Sequence, residues 1–277
     1  MKYSSPLVFA AFAAMTAFSA PMVAHADLLE EIKERGVFNV GTEARFPPFE
    51  FIEDGEIVGY SADIMAELMK ELPGVELNRI DLPFQGILPG LEAEQFDYIV
   101  TSLTLTAERY DRYAMSLPIA DSTMSIMTTT STDDISVPAD IAGHVIGTQA
   151  GSAHLEALTA YTATLDSPVE IKTYVDYNEA YADLAAGRIA GVANSLPNLL
   201  DAQAKRPELF AVVDGTFGPQ KFYTWAGRKD DTSASLTAFM NDGIARLQAD
   251  GTLDALQVKW FGGAMTLPEG PLLRPAD

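Results

Sequence analysis

Residues 37–49 read Val-Phe-Asn-Val-Gly-Thr-Glu-Ala-Arg-Phe-Pro-Pro-Phe, and this stretch decides the fold. Val37 to Val40 form a short apolar run that predicts a strand. The two adjacent prolines end strand pairing and fix an extended loop. Glu43 and Phe46 are therefore held at the carboxyl end of the strand, which is where ligands bind in open α/β sheets.

Helical and strand periodicity alternate on both sides of this stretch. The predicted strands lie at 97–100, 145–148, 169–174, 189–193 and 222–227, and the predicted helices at 28–35, 61–72, 85–93, 153–160 and 178–186. A long amphipathic helix is then predicted from the spacing of Leu236, Phe239, Met240, Ile244 and Leu247. Strands that alternate with helices predict parallel sheets covered by helices. The Ser- and Thr-rich stretch 122–134 separates two such series, which predicts an α/β protein with two Rossmann-like lobes.

The first 26 residues predict a cleavable secretory signal peptide. Lys2 provides a positive start, residues 7–20 an apolar run, and Ala24-His25-Ala26 a cleavage site. The apolar run is shorter than the roughly 20 residues of a spanning helix, which disfavours a membrane anchor. We expect export to the periplasm, cleavage after Ala26 and a mature chain that does not span the membrane.

The composition excludes several classes of function. The chain of 277 residues has no cysteine, and 39 acidic against 18 basic side chains give a net charge of −21, or −22 once Lys2 is removed. Nucleic-acid binding needs clustered basic residues, so it is not expected. Disulfides and thiolate chemistry are impossible. His144 and His154 lie in no metal-ligand spacing, and surface or helix-end positions are expected for them. No nucleophile motif or dinucleotide fingerprint is present.

Several further blocks of sequence follow one another along the chain. They include Gly-Tyr-Ser-Ala-Asp-Ile at 59–64, Asp-Tyr-Ile-Val-Thr-Ser-Leu-Thr-Leu-Thr-Ala-Glu-Arg at 97–109, Asp-Leu-Ala-Ala-Gly-Arg at 183–188 and Lys-Trp-Phe-Gly at 259–262. Together these blocks resemble the periplasmic amino-acid-binding proteins of ABC importers, the polar amino-acid type of extracellular solute-binding protein, family 3. The resemblance extends from about residue 36 to residue 262.

This resemblance implies a type II periplasmic binding protein fold, with two lobes joined by hinge crossings near 119–122 and 218–223. Lobe 1 would comprise 27–120 and 221–277, lobe 2 would comprise 121–220, and a Pro-containing tail, 267–277, is expected to be disordered. The chain would be a monomer that closes around a small amino-acid-like ligand, needs no cofactor and delivers the ligand to permease subunits.

The resemblance also implies roles for residues on the strand 97–104 and the helix after it. Arg109 would bind the α-carboxylate of the ligand, a task that suits a planar guanidinium. Thr104 would add donors to the carboxylate, and the Ser102 carbonyl would accept from an ammonium. The alternative for Arg109 is a solvated side chain paired with Glu108 or Asp111.

The walls of the site are implied in the same way. Phe46 and Phe84 match positions where the family places aromatic rings beside the ligand, although each could be ordinary core. Glu43 matches an acid found in relatives that take basic amino acids or opines, and a merely solvated glutamate is the alternative. An acid beside two rings favours a cationic or zwitterionic ligand.

Three positions depart from the family pattern. Ser61 stands where an acid is usual, and Ala153 where a hydroxyl residue is common, which leaves Ser152 and the loop N–H groups for the carboxylate. Ser195 stands where amino-acid binders commonly have the aspartate that receives the α-ammonium. The ligand could therefore be an amino acid held differently, an N-substituted amino acid or a betaine-like zwitterion.

Two other functions are compatible with the same fold. One is a periplasmic enzyme that resembles cyclohexadienyl dehydratases, since fold alone does not decide function. The other is a ligand-binding adaptor for a chemosensory receptor. The sequence offers no positive case for catalysis, so binding and transport is the preferred interpretation.

Overall fold

The computed structural model describes Met1 and residues 27–276. Apart from Met1, the predicted signal peptide lies outside the described residues. The helices are α1 Leu28–Arg35, α2 Tyr60–Met69, α3 Phe84–Glu92, α4 Ala107–Arg112, α5 Ala153–Thr162, α6 Tyr177–Ala185, α7 Leu196–Lys205, α8 Ala234–Ala249 and α9 Thr252–Phe261. The strands are β1 Val37–Thr42, β2 Arg45–Phe46, β3 Glu50–Glu53, β4 Glu56–Val58, β5 Glu76–Asp81, β6 Tyr98–Thr104, β7 Tyr113–Met115, β8 Ala120–Asp121, β9 Met124–Thr129, β10 Val145–Gln149, β11 Glu170–Tyr174, β12 Gly191–Ser195, β13 Phe210–Val212 and β14 Phe222–Arg228.

The first lobe is built on a six-stranded sheet in the order β5-β1-β6-β14-β7, with β8 paired to β14. Strand β1 runs parallel to β5 and β6, as the alternation of helices and strands predicts. Strand β14 is antiparallel to β6, β7 and β8, so the expectation of a wholly parallel sheet is wrong. The chain enters β14 from the second lobe, which gives this strand its opposite direction. The sequence analysis also did not predict the small antiparallel sheet β2-β3-β4.

The second lobe is built on a five-stranded sheet in the order β11-β10-β12-β9-β13. Its strand β9 lies inside the Ser- and Thr-rich stretch that the sequence treats as a separator, and it pairs antiparallel with β12 and β13. Five of the six residues of β9 are buried, so both of its faces are covered. A strand buried on both faces shows no polar–apolar alternation, and its periodicity is therefore hard to recognise.

Two antiparallel segments connect the lobes. Strand β8 pairs with the start of β14, so that Ala120 lies opposite Tyr223 and Asp121 opposite Phe222. These residues lie within the predicted crossings, which leads us to propose them as the hinge. The fold is otherwise the predicted one, with two helix-flanked sheets.

Helix α8 packs on the first sheet through the predicted apolar face. Leu236, Met240, Ile244 and Leu247 recur every three or four residues, and all four side chains are fully buried. Among the described residues, no helix combines the length and the apolar character that a membrane crossing needs.

Candidate ligand-binding site

A narrow cavity lies between the lobes, where the carboxyl ends of β1, β6 and β10 meet. Seven of the eight residues predicted from the sequence line it, together with three others: Glu43, Phe46, Phe84, Ser102, Thr104, Arg109 and Ser152, and then Gln149, Ala153 and His154. The carboxyl ends of β1 and β6 lie at one edge of the first sheet, and the end of β10 in the second sheet faces them, so residues distant in the chain meet here.

Arg109 lies on α4 with only 7% of its surface exposed. Its Nη1 donates to the Thr104 carbonyl over 2.9 Å, and its guanidinium lies over the Phe84 ring, 5.8 Å from the centroid. Among the described residues, no carboxylate lies within ion-pairing distance of Arg109; Asp111 pairs with Arg274, and Glu108 lies 3.9 Å from Arg112. The arrangement differs from the solvated alternative. A buried guanidinium with five donors and no counter-ion is suited to an anionic group.

Glu43 is the acidic group of the cavity, and only 2% of it is exposed. Burial, and then the charge of Glu50, raise the pKa of the Glu43 carboxyl to about 8. The Gln149 amide from the second lobe donates to Glu43 over 2.6 Å. Glu43 is therefore not a solvated surface glutamate, and a cation placed beside it would restore its charged form.

Glu50 is a buried acid beside the cavity, and the sequence analysis did not predict a role for it. It is fully buried and accepts hydrogen bonds from Ser61 Oγ, Thr101 Oγ1 and the backbone N–H of Ser102, each at 2.7 Å. Burial raises its pKa to about 7. Ser61, which departs from the family pattern, is thus a donor to a neighbouring acid. The sequence does contain one indication of this role, because Glu50 is the single acid within the apolar run 49–52.

Aromatic side chains form the walls of the cavity. Phe46 stacks with Phe49 at 5.8 Å and with His154 at 6.4 Å between ring centroids. It also meets Tyr177 of the second lobe at 5.7 Å and Tyr223 edge-on at 5.9 Å. Phe46 belongs to the core and to the cavity at once, so the two interpretations of this residue are not exclusive.

His154 links the two lobes and was not anticipated as a site residue. It occupies the start of α5, as expected, but its side chain is buried rather than at the surface. Its Nδ1 lies 2.8 Å from the Tyr177 hydroxyl, and its Nε2 lies 3.1 Å from Tyr223 and 3.4 Å from Thr104. Burial, and then the charge of Arg109, lower the pKa of His154 to about 3, so the imidazole is neutral.

Helix α5 directs its N-terminus at the cavity. Ser152 is the N-cap and accepts from Leu155 N over 3.2 Å, while its hydroxyl donates to Gln149 O over 2.7 Å. The first backbone N–H groups of a helix have no intrahelical acceptor and favour a negative charge. With Ala153 in place of a hydroxyl residue, the backbone supplies donors here.

Ser195 is the predicted residue that does not line the cavity. It is fully buried, and its hydroxyl donates to Asn198 Oδ1. The Asn198 amide in turn donates across the lobes to Pro47 O over 2.7 Å. Ser195 therefore orients Asn198 for its contact with Pro47 of the other lobe. The serine brings no charge to the position where the resemblance places an aspartate.

The buried acid makes the stability of the protein depend on pH. The folded Glu43 has a pKa of about 8, above its unfolded value, so the folded state binds the extra proton and stability falls as pH rises between about 4.5 and 8. Replacing Glu43 with glutamine removes this loss. We expect the stability of Glu43→Gln relative to wild type to increase with pH across this window, by up to about 1.4 kcal/mol per pH unit.

Urea denaturation between pH 5 and pH 8.5 measures this difference. The control is Glu30→Gln, since Glu30 is an exposed acid on α1. Parallel pH profiles for wild type and Glu43→Gln would show that Glu43 ionises normally in the folded protein.

Among residues 27–276, no cluster of three or more histidine or acidic side chains is arranged to hold a metal ion. His144 lies 3.6 Å from Asp134, away from the cavity.

Known proteins provide an independent comparison. Residues 38–263 match the family of bacterial extracellular solute-binding proteins, family 3. The L-cystine-binding protein TcyJ of Escherichia coli is 31% identical over 258 residues, which cover 92% of this chain and 94% of that protein.

Two solved structures extend the similarity to three dimensions. A mutant of ArgBP from T. maritima superposes with a TM-score of 0.76 at 31% identity, over 84% of this chain and 99% of that one. The ancestral amino acid-binding protein AncCDT-1, a precursor of cyclohexadienyl dehydratase, has the same TM-score at 28% identity, over 85% of this chain and 100% of that one. The family match and these similarities agree with the two-lobed fold, and the chain belongs to the bacterial extracellular solute-binding proteins, family 3.

Proposed function

We propose that this solute-binding protein captures an amino acid or related zwitterion whose carboxylate pairs with Arg109 and whose distal cationic group approaches Glu43. The single observation that carries the proposal is the buried Arg109, which has no carboxylate partner among the described residues and shares a cavity with Glu43. One cavity thus presents a cation for the carboxylate and an acid for a positive group.

The relatives suggest specific ligands for the first tests. One relative is named for binding L-cystine and another for binding arginine. Both molecules carry a carboxylate that could pair with Arg109 and a positively charged nitrogen that could approach Glu43. L-Cystine also has a second carboxylate beside its distal ammonium, so arginine is the stricter test. His154 lines the cavity, but its two ring nitrogens already bond to the Tyr177 and Tyr223 hydroxyls. In place of the usual aspartate, the Ser102 carbonyl would accept a hydrogen bond from the α-ammonium.

Closure of the lobes would trap the ligand, and the closed shape would be what the permease of an ABC importer recognises. Contacts between the lobes support this motion, since Glu43 meets Gln149 and Pro47 meets Asn198 across the cleft.

The protein is proposed to act as a monomer in the periplasm after cleavage behind Ala26. N-terminal sequencing of the exported protein should begin at Asp27.

Mass spectrometry of small molecules released on denaturation tests the ligand class directly. Protein purified from its native host should release a compound with both a carboxylate and a positively charged nitrogen. Release of a dicarboxylate without a distal cation would contradict the proposal. Conversion of prephenate or arogenate to an aromatic product would instead favour an enzyme.

A further inference from the structure

The chain beyond α9 forms a strap along the first lobe. Gly262, with φ of 78°, ends α9, and residues 263–276, here named the C-terminal strap, contain neither helix nor strand. The match to the family model ends at residue 263, so the strap lies almost wholly beyond it. The sequence predicts disorder from residue 267 onward, and the strap makes the following contacts.

The strap first contacts the inter-lobe crossings. The backbone N–H of Met265 donates to Gln257 Oε1 over 2.7 Å, and the Met265 sulfur accepts from the N–H of Asp121 over 3.3 Å. Further along, strap residues 268–275 enclose a cavity of about 240 Å³ together with Leu105, Pro118, Gln220, Lys221 and Phe222. The strap therefore touches β8, the start of β14, and the residue that follows Thr104.

The strap ends on α4, the helix that carries Arg109. Arg274 binds the Asp111 carboxylate with two nitrogens, Nη2 to Oδ2 at 2.9 Å and Nε to Oδ1 at 3.0 Å. This pairing holds the pKa of the Asp111 carboxyl below its usual value. Nearby, Leu272 packs on the apolar cluster that includes Phe84 and Leu105.

Helix α4 needs such external contacts. It has six residues, fewer than two turns, and an isolated helix of that length is not stable in water. Asp111 lies two residues after Arg109 on this helix. A two-nitrogen contact fixes direction as well as distance, so the Arg274–Asp111 pair constrains the helix that aims the Arg109 guanidinium.

We propose that Arg274 is a positioning residue for ligand binding, and that the strap couples α4 to the inter-lobe crossings. The inference rests on the proposed function, because it assigns Arg109 to the ligand carboxylate. An exposed ion pair contributes little to stability. The Arg274–Asp111 pair should affect ligand binding more than stability, because a small displacement of the Arg109 guanidinium weakens its hydrogen bonds to the ligand carboxylate.

Calorimetric titration with L-arginine and with L-cystine tests the proposal. Arg274→Ala and Asp111→Ala should each weaken binding about 3- to 10-fold, and the double variant should lose no more than either single variant. In an Arg109→Lys background, the Arg274→Ala change should have no further effect, because the strap acts through the guanidinium.

The matched control is Arg246→Ala. Arg246 pairs with Glu71 elsewhere on the first lobe and is as exposed as Arg274, at 43% against 44%. This variant should bind as wild type does, and its change in thermal stability should equal that of Arg274→Ala.

Two kinds of failure are distinguishable. Unchanged affinity in Arg274→Ala, with binding lost in Arg109→Ala, would overturn the positioning role alone. An equal loss in the wild-type and Arg109→Lys backgrounds would also overturn it, since the strap would then act on the lobe in general. Wild-type protein that binds none of arginine, lysine, ornithine, an opine, L-cystine and glycine betaine, or Arg109→Ala that binds normally, would overturn the proposed function itself.

Discussion

Replacing Arg109 with alanine is expected to reduce ligand affinity more than a hundredfold. In a closed cavity, a carboxylate that loses two charge-assisted hydrogen bonds loses at least about 3 kcal/mol. The fold should persist, because the buried guanidinium has no carboxylate partner among the described residues and its removal leaves no buried anion unpaired. Calorimetry gives the affinity, and circular dichroism with thermal denaturation monitors the fold.

The lysine variant separates geometry from charge. Arg109→Lys keeps the positive charge but cannot bind a carboxylate with two parallel N–H groups, so it should also bind poorly. Arg246→Ala is the control, since Arg246 is exposed and pairs with Glu71 away from α4. Near-native affinity in Arg109→Ala would show that the assigned site is wrong. Near-native affinity in Arg109→Lys would indicate that the positive charge acts at long range and that bidentate binding is not needed.

Ligands with a distal positive charge are expected to bind at least tenfold more tightly than glutamate. A distal cation pairs with Glu43 and faces the ring of Phe46, which favours it electrostatically. Glutamate instead brings a second carboxylate beside Glu43, which keeps Glu43 protonated, so this buried carboxylate finds no cation while Arg109 is occupied by the first. Titration with arginine, lysine, ornithine, an opine, L-cystine, glycine betaine, glutamine and glutamate measures the order.

Proton release provides a second measurement of the same contact. Burial raises the pKa of Glu43 to about 8, and a cation beside the carboxyl lowers it again. Binding of arginine near pH 7 should therefore release protons, which calorimetry in buffers of different ionisation enthalpy detects.

Replacing Glu43 with glutamine is the matching variant. Glu43→Gln should abolish the proton release and weaken the binding of arginine more than the binding of glutamine. If glutamate proves the tightest ligand, Glu43 does not pair with a ligand cation and the proposed ligand class is wrong.

The sequence predicted those parts of the site that follow from strand ends. Glu43 and Phe46 follow β1 and Thr104 ends β6, so the strand ends of the first sheet bring them together, while Ser152 follows β10 of the facing sheet. The roles of these residues came from the resemblance to a family, and they remain predictions until binding is measured.

The other cavity residues lacked a local signal. His154 meets Tyr177 from α6 and Tyr223 from β14, positions 23 and 69 residues later in the chain. Their meeting depends on how the lobes face each other, which no periodicity encodes. Ser195 was expected at the cavity from counting along the chain, but the hydroxyl bonds to Asn198 one helical turn away.

The fold was predictable where an apolar stripe marks one face of a helix. The apolar stripe of α8 identified that helix correctly, whereas β9 and the antiparallel direction of β14 were not recognised. Neither strand has a polar face that would reveal its register, because β9 is buried at five of its six positions and β14 at five of its seven.

The place of β14 has a consequence for how the chain folds during synthesis. This strand sits between β6 and β7, yet it is made more than a hundred residues after them. Until then β6 has an unpaired edge, and such an edge invites pairing with other chains. The second lobe is one uninterrupted segment and has no such delay. We therefore expect the later-synthesised lobe to complete its sheet first, with the first lobe closing around β14 as the last step.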